Sequence, residues 1–236
     1  MLFVDLVGFT ARSHRTDPED VRDALGLYHS VAKQRIEQHG GIIEKFAGDA
    51  VMAVFGAPIA HGDDAERAVR AGLAILDGLD EMNSTHGLDL AARAAVNTGD
   101  AVVSMGASRE GEALAIGDVV NTASRLQTAA PEGRLIVGED TYRATHHSIS
   151  YEPMDAVDAK GKAEPVPAWL AIEPLLAPAQ RPIGGQPLVG RNRELELIRS
   201  LWSRTVAERR PHLISLIGHP GGATTHPTRA YEPGHR

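Results

Sequence analysis

The segment GGIIEKFAGDAVMAVFG, residues 40–56, contains two apolar runs on either side of a short turn. Both runs are rich in Ile, Val and Phe, which predicts a β-hairpin with strands at residues 42–46 and 51–55. The turn, AGDA, places Asp49 at its tip, and Lys45 lies four residues earlier in the first strand. Because Gly and Asp are ordinary turn residues, Asp49 indicates a functional site only if other residues support it.

Helical patterns alternate with strand patterns on both sides of this hairpin. From Asp17 onward, apolar residues recur at helical spacing as far as a glycine pair at 40–41, and a second helix is predicted at residues 65–82. This order predicts the α+β class, with a mostly antiparallel sheet and helices packed on one face. Further strands are predicted at residues 1–8, 88–99, 101–106, 134–138, 148–157 and 164–172, with helices at 117–130 and 139–146.

A composition change near residue 173 predicts a domain boundary. Residues 174–188 are rich in Pro and Gly and show no apolar period, which indicates a linker after a first domain at residues 1–173. Beyond the linker, residues 189–202 show a helical pattern and residues 212–218 a strand pattern. The C-terminal end has no core-forming pattern and is predicted to be disordered.

The composition argues against several classes of function. The 236 residues include 24 basic and 31 acidic side chains, a net charge of −7, so nothing attracts the whole chain to nucleic acid or to an anionic membrane. The absence of cysteine excludes disulfides and thiolate metal sites. No apolar run approaches the roughly 20 residues of a membrane span, and the N-terminus lacks a secretory signal. We expect a soluble cytoplasmic protein that binds neither nucleic acid nor membrane.

The eleven histidines form no recognisable metal motif. No HExxH-type spacing occurs, and the adjacent His146 and His147 cannot readily ligate one tetrahedral metal together with carboxylates. We interpret the histidines as surface residues.

Asp5 is the first candidate functional residue, because it ends a strand made otherwise of Leu, Phe and Val. A carboxylate there is costly to bury unless it is paired or holds a metal, although Asp5 could also cap the turn at Gly8. If the strands are neighbours, Asp5 and Asp49 can meet, and two carboxylates without sulfur suit Mg²⁺ or Mn²⁺. Main-chain N–H groups of Gly8, Phe9 and Thr10 would then lie where phosphates bind well.

The predicted helix at 117–130 carries a second candidate group. Its apolar residues form one stripe, while Asn121 and Arg125, four residues apart, point together away from that stripe. An amide beside a guanidinium could bind a sugar oxygen and a phosphate. A solvated helix face explains the same pattern equally well.

Four segments in order resemble the catalytic domain of the class III adenylate/guanylate cyclase family: FVDLVGFT, GGIIEKFAGDAVMAVFG, IGDVVNTASRLQ and AKGKAEPVPAWLA. The resemblance covers residues 1–173. It implies a ferredoxin-like palm that works as a homodimer and converts ATP to cyclic AMP and pyrophosphate. It also implies two divalent cations, Mg²⁺ or Mn²⁺, held by Asp5 and Asp49, which matches two-metal chemistry.

The resemblance also implies roles for the remaining candidates. Asn121 would orient the ribose, Arg125 would stabilise charge on the α-phosphate, Lys160 would reach the triphosphate, and Lys45 would read the base. The metal aspartates would come from one protomer and the other groups from its partner, so a homodimer would form two composite sites.

One position departs from the family pattern. Leu114 occupies the place of the second base-reading residue, usually Asp or Thr in adenylate-type members. Leucine cannot accept a hydrogen bond from the adenine amino group, so discrimination between ATP and GTP is expected to be weak. Lys45 favours ATP, because guanylate-type members carry Glu there, and nearby Asp118 is interpreted as a helix cap. The alternative function is an inactive, cyclase-like module that binds nucleotide or dimerises.

Residues 189–236 resemble an incomplete start of an AAA/STAND-type ATPase domain. Where a phosphate-binding loop would carry GxxGxGK[ST], residues 218–225 read GHPGGATT and lack the lysine. We expect this fragment to have no ATPase activity, and a frameshift or truncation would explain the abrupt change in sequence. The first strand is likewise expected to lack a few residues at its start.

Overall fold

The computed structural model describes residues 1–9, 17–105, 113–157, 165–175 and 192–208. The chain divides into two compact units, Met1–Leu176 and Ala177–Arg236. Among the described residues, the first unit contains all the strands and four of the helices named below, and the second contributes one helix. The predicted strand at 212–218 lies outside the described residues.

The order of elements confirms the predicted alternation of helices and strands. The second helix, α2 (Asp64–His86), extends four residues beyond the predicted end at 82, and Gly87 caps it in the left-handed conformation (φ 65°). The strand β6 (Ala113–Ile116) was not predicted. The elements are β1 (Leu2–Leu6), α1 (Pro18–Gln38), β2 (Ile42–Ala47), β3 (Ala50–Val54), α2 (Asp64–His86), β4 (Ala92–Val96), β5 (Val102–Met105), β6 (Ala113–Ile116), α3 (Asp118–Ala129), β7 (Leu135–Gly138), α4 (Glu139–Thr145), β8 (Ile149–Val157) and β9 (Val166–Pro174), followed in the second unit by α5 (Asn192–Glu208).

Seven strands form one mixed sheet in the order β2-β3-β1-β4-β7-β9-β8. Every neighbouring pair is antiparallel except β4 and β7, which are parallel. Strand β1 lies between β3 and β4, with Asp5 opposite Ala50 on one side and opposite Arg93 on the other. Strands β5 and β6 pair separately as a two-stranded ribbon. The predicted α+β class and mostly antiparallel sheet are confirmed.

Helices cover both faces of this sheet. The long helices α1 and α2 pack in one core with the alternate residues Leu2, Val4 and Leu6 of β1. Helix α3 packs on the opposite face, where Leu126 meets Ala95 of β4. The long helices therefore share a face as predicted, and α3 adds a third layer that helical periodicity alone could not place.

Helix α2 approaches the sheet closely at Gly72. A Cβ there would overlap Leu135 Cδ1 and lie 3.2 Å from Leu2 Cδ1, and both leucines are fully buried. We expect Gly72→Ala to lower the free energy of unfolding in urea by about 1–3 kcal/mol, because overpacking forces the helix outward. Gly26→Ala is the matched control: its Cβ meets nothing within 4 Å, so the better helix former should add about 0.5–1 kcal/mol. Equal effects of the two changes would contradict the close approach.

None of the helices in the described ranges combines the length and the hydropathy that a membrane span requires.

Candidate active site

Asp5 and Asp49 lie close together at one end of the central strands. Asp5 pairs with Ala50 across β1 and β3, and Asp49 immediately precedes Ala50 at the hairpin tip. Burial raises the pKa of Asp5, and the negative charge of Asp49 raises it further. The fold thus maintains two carboxylates whose mutual repulsion a bound cation would relieve.

The amide of Gln127 and the guanidinium of Arg93 partly offset the rise in the pKa of Asp5. Gln127 Nε2 donates a hydrogen bond to Asp5 Oδ2 at 3.4 Å, and both this bond and the charge of Arg93 lower the pKa of Asp5. The Arg93 guanidinium also lies 3.6 Å from Glu132, while its buried Nε has no hydrogen-bond partner among the described residues. Neither Gln127 nor Arg93 could be singled out from the sequence, because their neighbour Asp5 is far away in the chain.

The hairpin tip is held by His29 of α1. His29 Nε2 lies 3.1 Å from the carbonyl oxygen of Gly48, which can only accept, so the imidazole donates. The His29 ring also packs on Phe46 at a centroid distance of 4.3 Å. Burial lowers the pKa of His29, although Gly48 and Asp49 oppose the shift. The interpretation of the histidines as surface residues holds for His146 and His147, which are exposed, and is wrong for the half-buried His29.

The buried residue Tyr28 lies beneath the same hairpin tip. The side chain is fully buried, and its hydroxyl oxygen has no hydrogen-bond partner among the described residues. Burial raises the pKa of Tyr28 well above its ordinary value, and the charges of Asp5 and Asp49 raise it further. The phenol therefore remains a neutral, proton-bearing dipole in the region of the two carboxylates.

This donor set fits a divalent cation of the hard, oxygen-preferring type. The described residues contain no group of three or more His, Asp or Glu side chains arranged for metal binding. Two carboxylates are nevertheless what Mg²⁺ typically takes from protein when water and substrate phosphates complete its coordination. The repulsion between Asp5 and Asp49 is consistent with a site whose charge is balanced only when a cation is present.

Asn121 and Arg125 occupy the outer side of α3. Asn121 is exposed and Arg125 half-buried, whereas Leu126 and Gln127 between α3 and the sheet are buried. At about 100° per residue, Arg125 points about 160° away from Gln127 around the helix, and Asn121 about 120° away. Because Gln127 contacts Asp5, the two other side chains are directed away from the carboxylate pair. Within one chain, Asn121 and Arg125 therefore do not lie at the site formed by Asp5 and Asp49.

Lys45 lies beside a buried acidic residue, Glu44. The pairing of β2 with β3 is irregular between Ile43 and Lys45, and Glu44 occupies the irregularity. Glu44 is only 4% exposed, its Oε1 lies 3.8 Å from Lys45 Nζ, and its Oε2 has no partner among the described residues. Burial raises the pKa of Glu44, opposed by Lys45 and by a backbone hydrogen bond from Ala115. The ammonium group of Lys45 therefore lies near a buried carboxylate, which restricts its position.

The remaining predicted site residues are only partly described. Gly8 adopts a left-handed φ of 64° in the turn after β1, and the Phe9 side chain packs in the core. Leu114 pairs with Ser104 in the ribbon, but its side chain lies outside the described part of the chain. Thr10 and Lys160 also lie outside it.

The interpretation of Asp118 as a helix cap is wrong. Gly117 is the N-cap residue of α3, and Asp118 is the first residue of the helix. Asp118 Oδ2 accepts a hydrogen bond from Thr122 Oγ1 at 3.4 Å, one turn further along. Its negative charge in the first turn still interacts favourably with the helix dipole.

Comparison with known proteins places the first unit in a family. Residues 1–171 match the model of the adenylate and guanylate cyclase catalytic domain. Adenylate cyclase 1 of Rhizobium meliloti (strain 1021) is 33% identical over 169 residues, which make up 69% of this chain and 25% of that protein. The chain therefore spans about a quarter of the length of that curated relative.

Two solved structures share the fold. The adenylyl cyclase CyaB from P. aeruginosa superposes with a TM-score of 0.68 at 30% identity, over 73% of this chain and 92% of that one. The guanylyl cyclase Cya2 gives a TM-score of 0.69 at 30% identity, over 76% of this chain and 93% of that one. The similarity to an adenylyl and to a guanylyl cyclase is the same, so it does not distinguish between the two purines.

Proposed function

The chain belongs to the adenylate and guanylate cyclase catalytic domain family, and from this premise we propose that it converts ATP to 3′,5′-cyclic AMP and pyrophosphate. The observation that carries the proposal is the meeting of Asp5 and Asp49 where β1 pairs with β3. The reaction forms a bond between the ribose 3′-oxygen and the α-phosphorus and breaks the bond to pyrophosphate. A carboxylate pair at the reaction centre suits this phosphoryl chemistry.

Asp5 and Asp49 would hold two divalent cations, Mg²⁺ or Mn²⁺. Such ions, when bound, supply Lewis acidity that favours ionisation of the 3′-hydroxyl and neutralises charge on the triphosphate. The protein's part is to fix the two carboxylates. His29 donates a hydrogen bond to the hairpin tip at Gly48, and Gln127 donates one to Asp5. Gly8, Phe9 and Thr10 would offer main-chain N–H groups to the phosphates.

The other half of the site is proposed to come from a second copy of the chain. Asn121 and Arg125 point away from the carboxylates of their own chain, which supports a role for them in the site of a partner. There Asn121 would orient the ribose, Arg125 would stabilise negative charge on the α-phosphate, and Lys160 would contact the triphosphate. The ribbon adds an apolar surface for such a dimer, since the register partners Val102 and Ile116 are 69% and 61% exposed.

ATP is proposed as the preferred nucleotide, with modest selectivity. The Lys45 ammonium can only donate, which suits the adenine N1 acceptor. Leu114 offers no acceptor to the adenine amino group. One of the hydrogen bonds that would distinguish ATP strongly from GTP is therefore missing. GTP is therefore expected to be a poorer substrate rather than an excluded one.

A product assay with both nucleotides tests this proposal. Purified protein with Mn²⁺ should form cyclic AMP from ATP, and cyclic GMP from GTP with a kcat/KM lower by about 10- to 100-fold. The products are separated by chromatography at several protein concentrations. A specific activity that rises with protein concentration is expected for a site shared between protomers. If neither nucleotide gives product, the chain is instead an inactive, cyclase-like binding or dimerisation module.

The remaining expectations stay predictions. They are a cytoplasmic location, a catalytic domain at residues 1–173, a linker at 174–188, and an ATPase-like segment at 189–236. For this segment we propose no ATPase activity, because residues 218–225 lack the phosphate-loop lysine. Phosphate release from ATP by the isolated segment 180–236 would refute this.

A further inference from the structure

Gln127 joins α3 to the proposed metal site of its own chain. Its side chain is 8% exposed, and Nε2 donates to Asp5 Oδ2 at 3.4 Å across 122 residues of sequence. The neighbouring Leu126, 1% exposed, anchors the same helical turn in the core. A buried amide in a fixed helix can orient a carboxylate, because it offers its N–H from one direction only.

The same helix carries Asn121 and Arg125 on its other side. These residues and Gln127 belong to one 12-residue helix, and Asn121 is about 9 Å from Gln127 along its axis. A regular helix of this length moves as a unit. A shift of Asp5 that is transmitted through Gln127 therefore also moves the two side chains proposed to serve the partner's site.

We propose that Gln127 is a positioning residue that orients Asp5 for cation binding and makes α3 a physical connection between the two active sites of the dimer. This inference rests on the proposed function, because it needs Asp5 to bind a cation. The 3.4 Å bond is long for an amide and a carboxylate. It can shorten when a cation fixes Asp5, and α3 then becomes more rigid.

Gln127→Met tests the proposal, because it retains the shape of the side chain and removes the donor. Mn²⁺ affinity of the nucleotide-free full chain, measured by electron paramagnetic resonance, should fall about 10-fold, as for other residues that orient a metal ligand. In hydrogen exchange, Mn²⁺ should slow amide exchange across residues 118–129 of the wild type. This slowing should be lost in the variant. Gln127→Asn, one methylene shorter, should act in the same way.

Thr122→Val is the matched control. Thr122 is 3% exposed on the same helix and donates a bond of the same length, 3.4 Å, but to Asp118 instead of Asp5. Thr122→Val should lower the unfolding temperature about as much as Gln127→Met does. It should leave the Mn²⁺ affinity and the effect of Mn²⁺ on amide exchange unchanged. A merely structural role for Gln127 predicts that both variants behave alike.

The outcomes separate this inference from the proposed function. Unchanged Mn²⁺ affinity in a folded Gln127 variant overturns the positioning role. Mn²⁺ binding to the wild type without slower exchange in α3 overturns the connection between the sites. If the wild type binds no Mn²⁺ at all, the metal site itself is wrong, and the proposed function fails with it.

Discussion

Asp49→Asn should reduce cyclic AMP formation by at least about 1,000-fold, because an amide in place of the carboxylate removes the charge of a proposed metal ligand. The same change should leave the cation-free protein as stable as the wild type or more stable. Asp49 repels Asp5 and raises its pKa, and neutralising one member of the pair removes that repulsion. Turnover is measured with Mn²⁺ and ATP, and stability by thermal unfolding in EDTA.

Asp77→Asn provides the control for this prediction. Asp77 is exposed on α2, so its neutralisation changes the net charge by the same amount without affecting the carboxylate pair. Mn²⁺ should raise the unfolding temperature of the wild type and of Asp77→Asn but not that of Asp49→Asn, because only a folded state with the site gains from the ligand. An Asp49→Asn protein with more than a tenth of wild-type turnover would show that Asp49 is not a metal ligand.

Two inactive variants should restore activity when they are combined in one dimer. Asp5→Asn should damage the proposed metal half of a site, and Arg125→Ala should damage the proposed phosphate half, each reducing turnover by about 100-fold or more. In a heterodimer of the two, one composite site receives both lesions and the other receives neither. Co-expressed chains with two different tags, purified over both, should therefore show about half of wild-type activity.

A heterodimer of Asp5→Asn with Asp49→Asn is the matched negative control. Each chain then carries a lesion in the metal half, so neither composite site is intact and activity should remain absent. Restoration in this control would mean that the two carboxylates act from different protomers. No restoration with Arg125→Ala, in a dimer shown to be intact by its mass, would mean that Arg125 and Asp5 of the same chain serve one site.

Much of the fold could be predicted because its signals are local. The hairpin at residues 40–56 and the helix that starts after Asp17 follow from short-range periodicity, and Asp17 does cap α1 by accepting from the Glu19 N–H. The order of strands was harder. The parallel neighbours β4 and β7 are separated by the β5–β6 ribbon and α3, and no pattern within either strand identifies its neighbour.

The candidate site shows the same division. Asp5 and Asp49 could be singled out from the sequence, because a carboxylate beside an apolar strand is costly unless it is used. Their supporting residues could not. No local pattern shows that His29 donates to the hairpin tip or that Glu44 is buried beside Lys45. The apolar periodicity of a segment shows which side of the helix or strand a residue faces. It does not show which residues of other elements pack against that side.

The sequence alone determined the class of fold, the hairpin with Asp49 at its tip, and the helix that presents Asn121 and Arg125 on one side. These depend on residues within a few positions of one another, where spacing and side-chain type are sufficient. Only the tertiary structure decided that Gln127 of that helix touches Asp5, and hence that Asn121 and Arg125 point away from the Asp5–Asp49 pair of their own chain. Such a contact across 122 residues depends on how the sheet and its two helical layers pack together.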